Sequence, residues 1–292
     1  MSAGDSNQIT RDYFDSLLLE TRYIDSDLPT TQMKLFGEEF DTPIMTAALS
    51  HLHDICPNAM AEYALGAKKA NAVCFFGMGE DEDLEAMTAT GAKLVKIIKP
   101  HEDNNEVLRK IDHAIKNGAF AVGMDIDHSY SGNGGYDVVC GLPMKPKSFD
   151  EMKMFVEHSS VPFVVKGVLS VQDAMKCIQA GVKAIIVSHH HGIMPYSVPP
   201  LMVLPEIVNA VNGQMKIIVD CGIESGMDAF KALALGADAV CVGRDLMGPL
   251  KEGSDGVAKR ITDMNNELKS IMARTGAKSL KEIDKTVIHR AV

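Results

Sequence analysis

No tryptophan occurs among the 292 residues, and aromatic side chains make up only 5% of them. A core of this size must then be filled by Met, Leu, Ile, Val and Ala. Basic residues are in deficit, 29 against 39 acidic ones, and no basic run occurs. The formal net charge of −10 is against a nucleic-acid binder and against a protein held on an anionic membrane surface. No apolar run reaches the ~20 residues that a bilayer span needs. The opening stretch MSAGDSNQITRDYFD is polar and acidic, unlike a secretory signal. None of the six cysteines (Cys56, Cys74, Cys140, Cys177, Cys221 and Cys241) belongs to a Cys-x-x-Cys pair. Small buried thiols in a reducing cytoplasm are expected rather than a disulfide framework, with Cys221 set apart by its place at a strand end. A dinucleotide fingerprint, Gly-x-Gly-x-x-Gly after a first strand, is also missing.

What is present is a rhythm. From Pro43 onward, apolar runs of strand length alternate with amphipathic helical stretches. Strands are predicted over 44–49, 72–78, 94–99, 119–126, 163–168, 184–188, 217–220 and 239–243. Ser170 and Ser225 are placed to cap helices, and Gly181 and Gly236 to end them. Eight strands, each followed by a helix, close naturally into a TIM (β/α)8 barrel. An open doubly wound sheet is the competitor, and it would need a switch point. Residues 1–42 read as a lead-in segment with a short helix around 11–19. Residues 43–292 read as the barrel with C-terminal helices, one over 256–274 and a second from 280. The connection 127–147 is long and rich in Gly, Ser and Pro. It follows the fourth strand and is either a lid over the mouth or a surface excursion.

The chemistry is expected at the carboxyl ends of the strands. The stretch AIIVSHHHG runs from a buried strand straight into three histidines. Strand alternation predicts Ser188 and His190 on one side and His189 and His191 on the other. Adjacent histidines on a strand point apart, and no metal-binding spacing accompanies them or His51 and His53, so no metal is expected. In IIVDCGIESGMDAFKALALGADAVCVGRD, glycines stand at two adjacent strand ends and Arg244 closes the second. Backbone N–H groups at Gly222 and Gly243, with the Arg244 charge, suit the phosphate site that barrels build after strands seven and eight. Lys166 in VVKGV is predicted to point into the mouth, where a cation beside a flavin ring stabilises its reduced anion. Asp127 ends the fourth strand, and a carboxylate there can orient an imidazole.

In these stretches the chain resembles the FMN-dependent α-hydroxy-acid oxidase and dehydrogenase family, which includes glycolate oxidase, lactate oxidase and flavocytochrome lactate dehydrogenase. The resemblance runs from about Asp12 onward and is tightest in VVKGVLSVQDA, VSHHHG and DCGIESGMDAFKALALGADAVCVGR. It implies FMN as cofactor and a catalytic set of His190, Asp127 and Lys166. It implies a cofactor shell of Thr46, Ala47, Ala48, Lys96, Asp125, Lys166, Ser188, Asp220, Gly222, Gly243 and Arg244. Departures fall in the substrate shell. The family's carboxylate-binding arginine aligns with Ile193 and a substrate tyrosine with Ile98. Lys96 replaces a glutamine, Asp125 a threonine and Glu224 an arginine. A further amino-terminal substrate tyrosine has no counterpart. His189, Ile193 and Ile98 are then the expected substrate-facing positions, and a simple 2-hydroxy acid is a doubtful substrate. The implied function is hydride transfer between flavin and an alcohol or carbonyl compound, in a cytoplasmic homo-oligomer with a small-molecule substrate and an unspecified electron acceptor. Two alternatives stay open: an FMN-dependent isomerase without net redox, and a flavin-binding protein without turnover. A barrel of the inosinate dehydrogenase type would need a nucleophilic cysteine after the sixth strand, and HHHGIMPYS has none.

Overall fold

A computed structural model of the chain describes residues 4–291. Its centre is a barrel of eight parallel strands: β1 (Ile44–Thr46), β2 (Cys74–Phe76), β3 (Leu94–Ile98), β4 (Ala121–Asp125), β5 (Phe163–Val168), β6 (Ala184–Val187), β7 (Lys216–Val219) and β8 (Ala239–Val242). The pairing order is β1-β8-β7-β6-β5-β4-β3-β2. Closure between β1 and β2 is made by few bonds. Thr46 N–H donates to Val73 O at 3.2 Å, Gly77 N–H to Leu49 O at 3.1 Å, and Thr46 Oγ1 accepts from Phe75 N–H at 3.1 Å. A Cβ on Gly77 would lie 2.5 Å from Ala48 O, so only glycine lets the two chains pass this closely.

Alternate residues of each strand point inward, where Met45, Phe75, Val95, Ile97, Ile186 and Ile218 pack together. Their neighbours point outward against the helices in one continuous outer core. The predicted caps are in place: the Ser170 and Ser225 hydroxyls accept from the N–H groups of Asp173 and Asp228. Gly181 and Gly236 adopt the left-handed backbone, at φ +87° and +105°, that ends the preceding helices.

The ends of the chain depart from expectation. The first helix is Ser6–Asp15, capped by Asp5, rather than a helix over 11–19. Ser16 Oγ bonds back to Tyr13 O and stops it. Leu17–Leu19 then form a strand antiparallel to Ile288–Arg290. That partner explains the far end too: from Leu280 there are only single turns at Leu280–Glu282 and Lys285–Val287 before the strand, not a second helix. The long helix runs over Gly253–Arg274. A hairpin of Met33–Leu35 with Glu38–Phe40 adds Met33, Leu35 and Phe40 to the inner core and so plugs the barrel floor. No helix among the described residues is long and apolar enough to cross a membrane.

Candidate active site

A cavity of about 230 Å³ lies at the carboxyl ends of β5 to β8 and β1, with Ala47, Lys166, His190, Asp220, Gly222 and Arg244 in its wall. A second, of about 500 Å³, lies outside the barrel wall between Tyr130, Phe149 and Cys177 and contains none of these groups.

Lys166 continues the inward alternation of β5 and is 5% exposed. Its Nζ stands 3.7 Å from both Asp125 Oδ1 and Asp220 Oδ2. It is also 3.2 Å from His190 Nδ1 and 3.5 Å from Ser188 Oγ. Lys99 Nζ donates to the other oxygen of Asp125 at 2.7 Å. Two lysines thus balance the buried carboxylates. Burial drives the Asp125 carboxyl up, but Lys166, His190 and Lys99 together hold it well below its ordinary value. Burial opposes the charge on Lys166, and the aspartates around it outweigh burial and raise it.

His190 meets Asp127 as expected, with Nδ1 2.7 Å from Oδ1 and 3.2 Å from Asp125 Oδ1. The route differs from strand alternation. β6 ends at Val187, and His190 and His191 sit in a turn with φ +47° and +54°. Ser188 Oγ accepts the His190 N–H at 3.1 Å and Cys221 Sγ the His191 N–H at 3.3 Å, which fixes that turn. Burial and Lys166 push His190 down, but hydrogen bonds with the two aspartates leave it raised. Burial and the adjacent Asp125 lift Asp127 to about 6. Donor atoms of Asp125, Asp127, His128 and His190 lie within 4.8 Å of one another, and Lys99 and Lys166 already bring the positive charge a cation would supply.

Several expected contacts are elsewhere. His189 turns away from the mouth. Its Nδ1 accepts from Gly192 N–H and its Nε2 stands 2.7 Å from Thr10 Oγ1, so it clasps the first helix. Ile98 packs in the outer core, because the inward positions of β3 are Val95 and Ile97. By the same alternation Lys96 points outward. It donates to Gly77 O and stacks on Phe76, and burial lowers it to about 7. Lys99, one step beyond the strand, is the lysine that reaches the site. Thr46 is fully buried, with its hydroxyl spent on Phe75 N–H. Ile193 lies in the loop after β6, 40% exposed. Ala47, Ala48, Asp220, Gly222, Gly243 and Arg244 do line the cavity, and Asp125 and Ser188 lie directly behind Lys166.

The far end of the cavity is built around Asp228. Its carboxylate accepts from Glu224 N–H, Ser225 Oγ and the Arg11 guanidinium, tying the turn after β7 to the first helix. Asn7, Thr10 and Arg11 of that helix line the cavity. Nothing in the amino-terminal stretch pointed to them, since a helix that packs by its polar side carries no apolar stripe toward the site. Cys221, at φ +67°, also lines it, and burial holds its thiol well up and neutral.

Known proteins resemble this chain in sequence and fold. The family model described as FMN-dependent dehydrogenase matches residues 2–149 and 144–290. The chain belongs to the FMN-dependent dehydrogenase family. An L-lactate oxidase of Lactobacillus jensenii is 32% identical over 88% of this chain and 71% of its own. A peroxisomal (S)-2-hydroxyacid oxidase of Arabidopsis thaliana is 40% identical over 47% of this chain, a match that spans 38% of the plant enzyme. A crystal structure of mandelate oxidase superposes with a TM-score of 0.90 at 26% identity, covering 100% of this chain and 92% of that one. The cofactor of this family is FMN, and the cavity fits it. Among the described residues no acceptor engages the Arg244 guanidinium, although Asp245 beside it is taken by Arg260 at 2.5 Å. A Cβ on Gly243 would find only Ala47 and Leu49 near it, beyond 3.5 Å, so the wall there is open. A free cation over an open glycine wall at one end, and Lys166 at the other, are the two features a phosphorylated flavin needs. Arg244→Ala is expected to weaken FMN binding about ten- to a hundredfold, the worth of one charged hydrogen bond. Fluorescence titration of the apoprotein checks this, and unchanged affinity would remove Arg244 from the phosphate role.

Proposed function

We propose that the protein is an FMN-dependent oxidoreductase that oxidises an alcohol of 2-hydroxy-acid-like form. When bound, FMN supplies the hydride acceptor. His190 takes the hydroxyl proton, Asp127 orients its ring through Nδ1, and Lys166 holds positive charge beside the flavin ring. The observation that carries this reading is the Asp127–His190–Lys166 group at the inner end of the same cavity whose outer end holds Arg244. Residues 1–42 serve as the lead-in to the barrel domain, 43–292, and their helix Ser6–Asp15 walls one side of the cavity.

The substrate's acid group is not clamped by arginine in this reading. The arginines lining the cavity, Arg11 and Arg244, both stand at the end with Gly222 and Glu224. The charges of Lys166 and His190 at the reacting end are already engaged by Asp125, Asp220 and Asp127, so a substrate anion there would be costly to desolvate. Neutral derivatives are therefore expected to serve at least as well as free acids. Anaerobic bleaching of the bound flavin by lactate, glycolate and mandelate, each against its amide and methyl ester, tests this. Free acids acting tenfold faster than their esters would overturn it. Bleaching by none of them would favour flavin binding without turnover, and product formed with no electron acceptor would favour an isomerase. A cytoplasmic homo-oligomer is supported by six unpaired thiols and by the exposure of Ile24 and Leu28, at 92% and 88%.

A further inference from the structure

The Nε2 face of His190 is covered. His128 Nε2 lies 3.1 Å from it, with the two rings edge to face and 4.2 Å between centroids. His128 Nδ1 in turn lies 3.1 Å from Asp137 Oδ2. Asp127, His190, His128 and Asp137 therefore form one unbroken line. His128 and Asp137 both belong to the loop after β4, which is pinned by its own bonds. Ser129 Oγ donates to Ile126 O at 2.8 Å, and Asp137 N–H to Ser129 O at 3.2 Å. Val138 N–H holds the second oxygen of Asp137 at 2.9 Å, which turns the first toward His128.

The acceptors at the two ends set where the protons lie. An ionised carboxylate only accepts, so Asp137 requires N–H at His128 Nδ1 and Asp127 requires N–H at His190 Nδ1. Neutral His128 then presents a lone pair at Nε2. His190 must meet that lone pair with a second N–H, so the resting ring is an imidazolium. The charges around the pair agree. His190 faces Asp125 and Asp127 of the β4 end and Lys166 of β5, with Asp220 and Cys221 of the β7 end beyond Lys166. His128 faces Asp137, His190, Lys99 and Asp125, and burial, with Lys99 next, lowers it to about 4.

An imidazolium cannot accept a proton from an alcohol. We propose that His128, backed by Asp137, is a positioning residue that takes the Nε2 proton from His190 and releases its own Nδ1 proton to solvent, leaving His190 neutral, with its Nε2 lone pair hydrogen-bonded to His128 Nε2–H until a substrate hydroxyl displaces that bond. The proposal rests on the reading of His190 as proton acceptor. In the step, the His190 Nε2–H bond breaks and a His128 Nε2–H bond forms. The positive charge moves beside Asp137, and the Nδ1 proton of His128 then leaves by way of that carboxylate to water. One proton is released and no electrons move. The transfer is uphill, so His128 carries the proton in transit and does not store it.

The test uses FMN-loaded protein labelled with ¹⁵N-histidine, as wild type, H128Q, H128A and D137N. Long-range ¹H–¹⁵N spectra at pH 7 should show His190 protonated on both nitrogens and His128 neutral with its proton on Nδ1. D137N should lose that tautomer. In anaerobic stopped-flow, H128Q can accept the hydrogen bond but cannot carry the proton. It is expected to reduce its flavin about a hundredfold more slowly, with the acid limb of the profile moved to higher pH. Added imidazole should restore rate to H128A and not to wild type. A proton on Nε2 of His128, or wild-type rates with an unmoved pH profile in both His128 variants, would overturn the relay alone. Wild-type flavin that no hydroxy compound reduces would instead bring down the reading of His190, and the relay with it.

Discussion

Replacing His190 by alanine is expected to slow anaerobic flavin reduction about a hundred- to ten-thousandfold, the usual worth of a positioned proton acceptor. The protein should remain folded and yellow. The ring is a quarter exposed at the cavity, while the buried charges beneath it, Lys99 with Asp125 and Lys166 with Asp125 and Asp220, keep their partners without it. Asp127 does lose its hydrogen bond, but burial and Asp125 already lift it to about 6, so the uncompensated carboxylate takes up a proton more readily than an ordinary one. The pH dependence follows from the raised value of His190. Only the unprotonated ring accepts, so the wild-type rate should rise with pH through a midpoint above the ordinary imidazole value of about 6.5. Asp127→Asn should also slow reduction without releasing flavin, because it removes the acceptor that holds Nδ1–H. His189→Ala should act differently, loosening the helix Ser6–Asp15 through the lost Thr10 contact and sparing proton transfer. If His189→Ala abolishes reduction while His190→Ala keeps it, the assignment of the base is wrong.

Lys166→Met is expected to cost about 3–5 kcal/mol of stability, the range for stripping one partner from a buried ion pair. Methionine matches the volume, leaves Asp220 without its lysine, and leaves Asp125 with Lys99 and His190 but without one of its two lysines. The sign of its pH dependence is fixed. In the wild type the depressed Asp125 adds stability above the unfolded carboxyl value of about 3.9, which is lost as pH falls through the lower folded value. Without Lys166 the folded value rises. The deficit of the variant is then largest at neutral pH and narrows as pH falls and the carboxyl takes up a proton. Urea unfolding at pH 7 and pH 5 measures it. A deficit that is the same at both, or one below about 1 kcal/mol, would show that Lys99 alone balances the pair.

The barrel was legible because each strand is an apolar run bounded by turn residues, and the eight predicted runs coincide with β1 to β8 apart from ends that differ by up to three residues. Lys166, Asp127, Asp220, Gly222, Gly243 and Arg244 were legible because strand ends and glycine turns place them by local rules. The failures share one physical cause: position in space set by distant partners. Lys96 and Lys99 differ by three residues, and the choice between them depends on the inward register of β3, which five consecutive buried residues do not reveal. His189 is held away from the mouth by Thr10, some 180 positions earlier. His128 carries no signal in the sequence, because it sits in a loop whose fold depends on bonds among Ser129, Ser131, Gly135 and Asp137. The leucines at 17–19 form a strand rather than helix because their partner lies at the other end of the chain, where local pattern cannot reach.

The sparse join between β1 and β2 has a consequence for how the barrel breathes. Every other neighbouring pair shares at least two registered residues, whereas this one relies on two backbone bonds, one isolated bridge and the Thr46 hydroxyl. Local opening starts where the fewest bonds must break together. The barrel is thus a hoop with a designated clasp, and the clasp lies directly beneath Ala47 and Ala48, in the cofactor wall. An occupant resting on those alanines is expected to slow the opening of the clasp. Loading the site and closing the hoop are then the same event seen from two sides, and exchange of the Phe75 and Gly77 amides with solvent reports both.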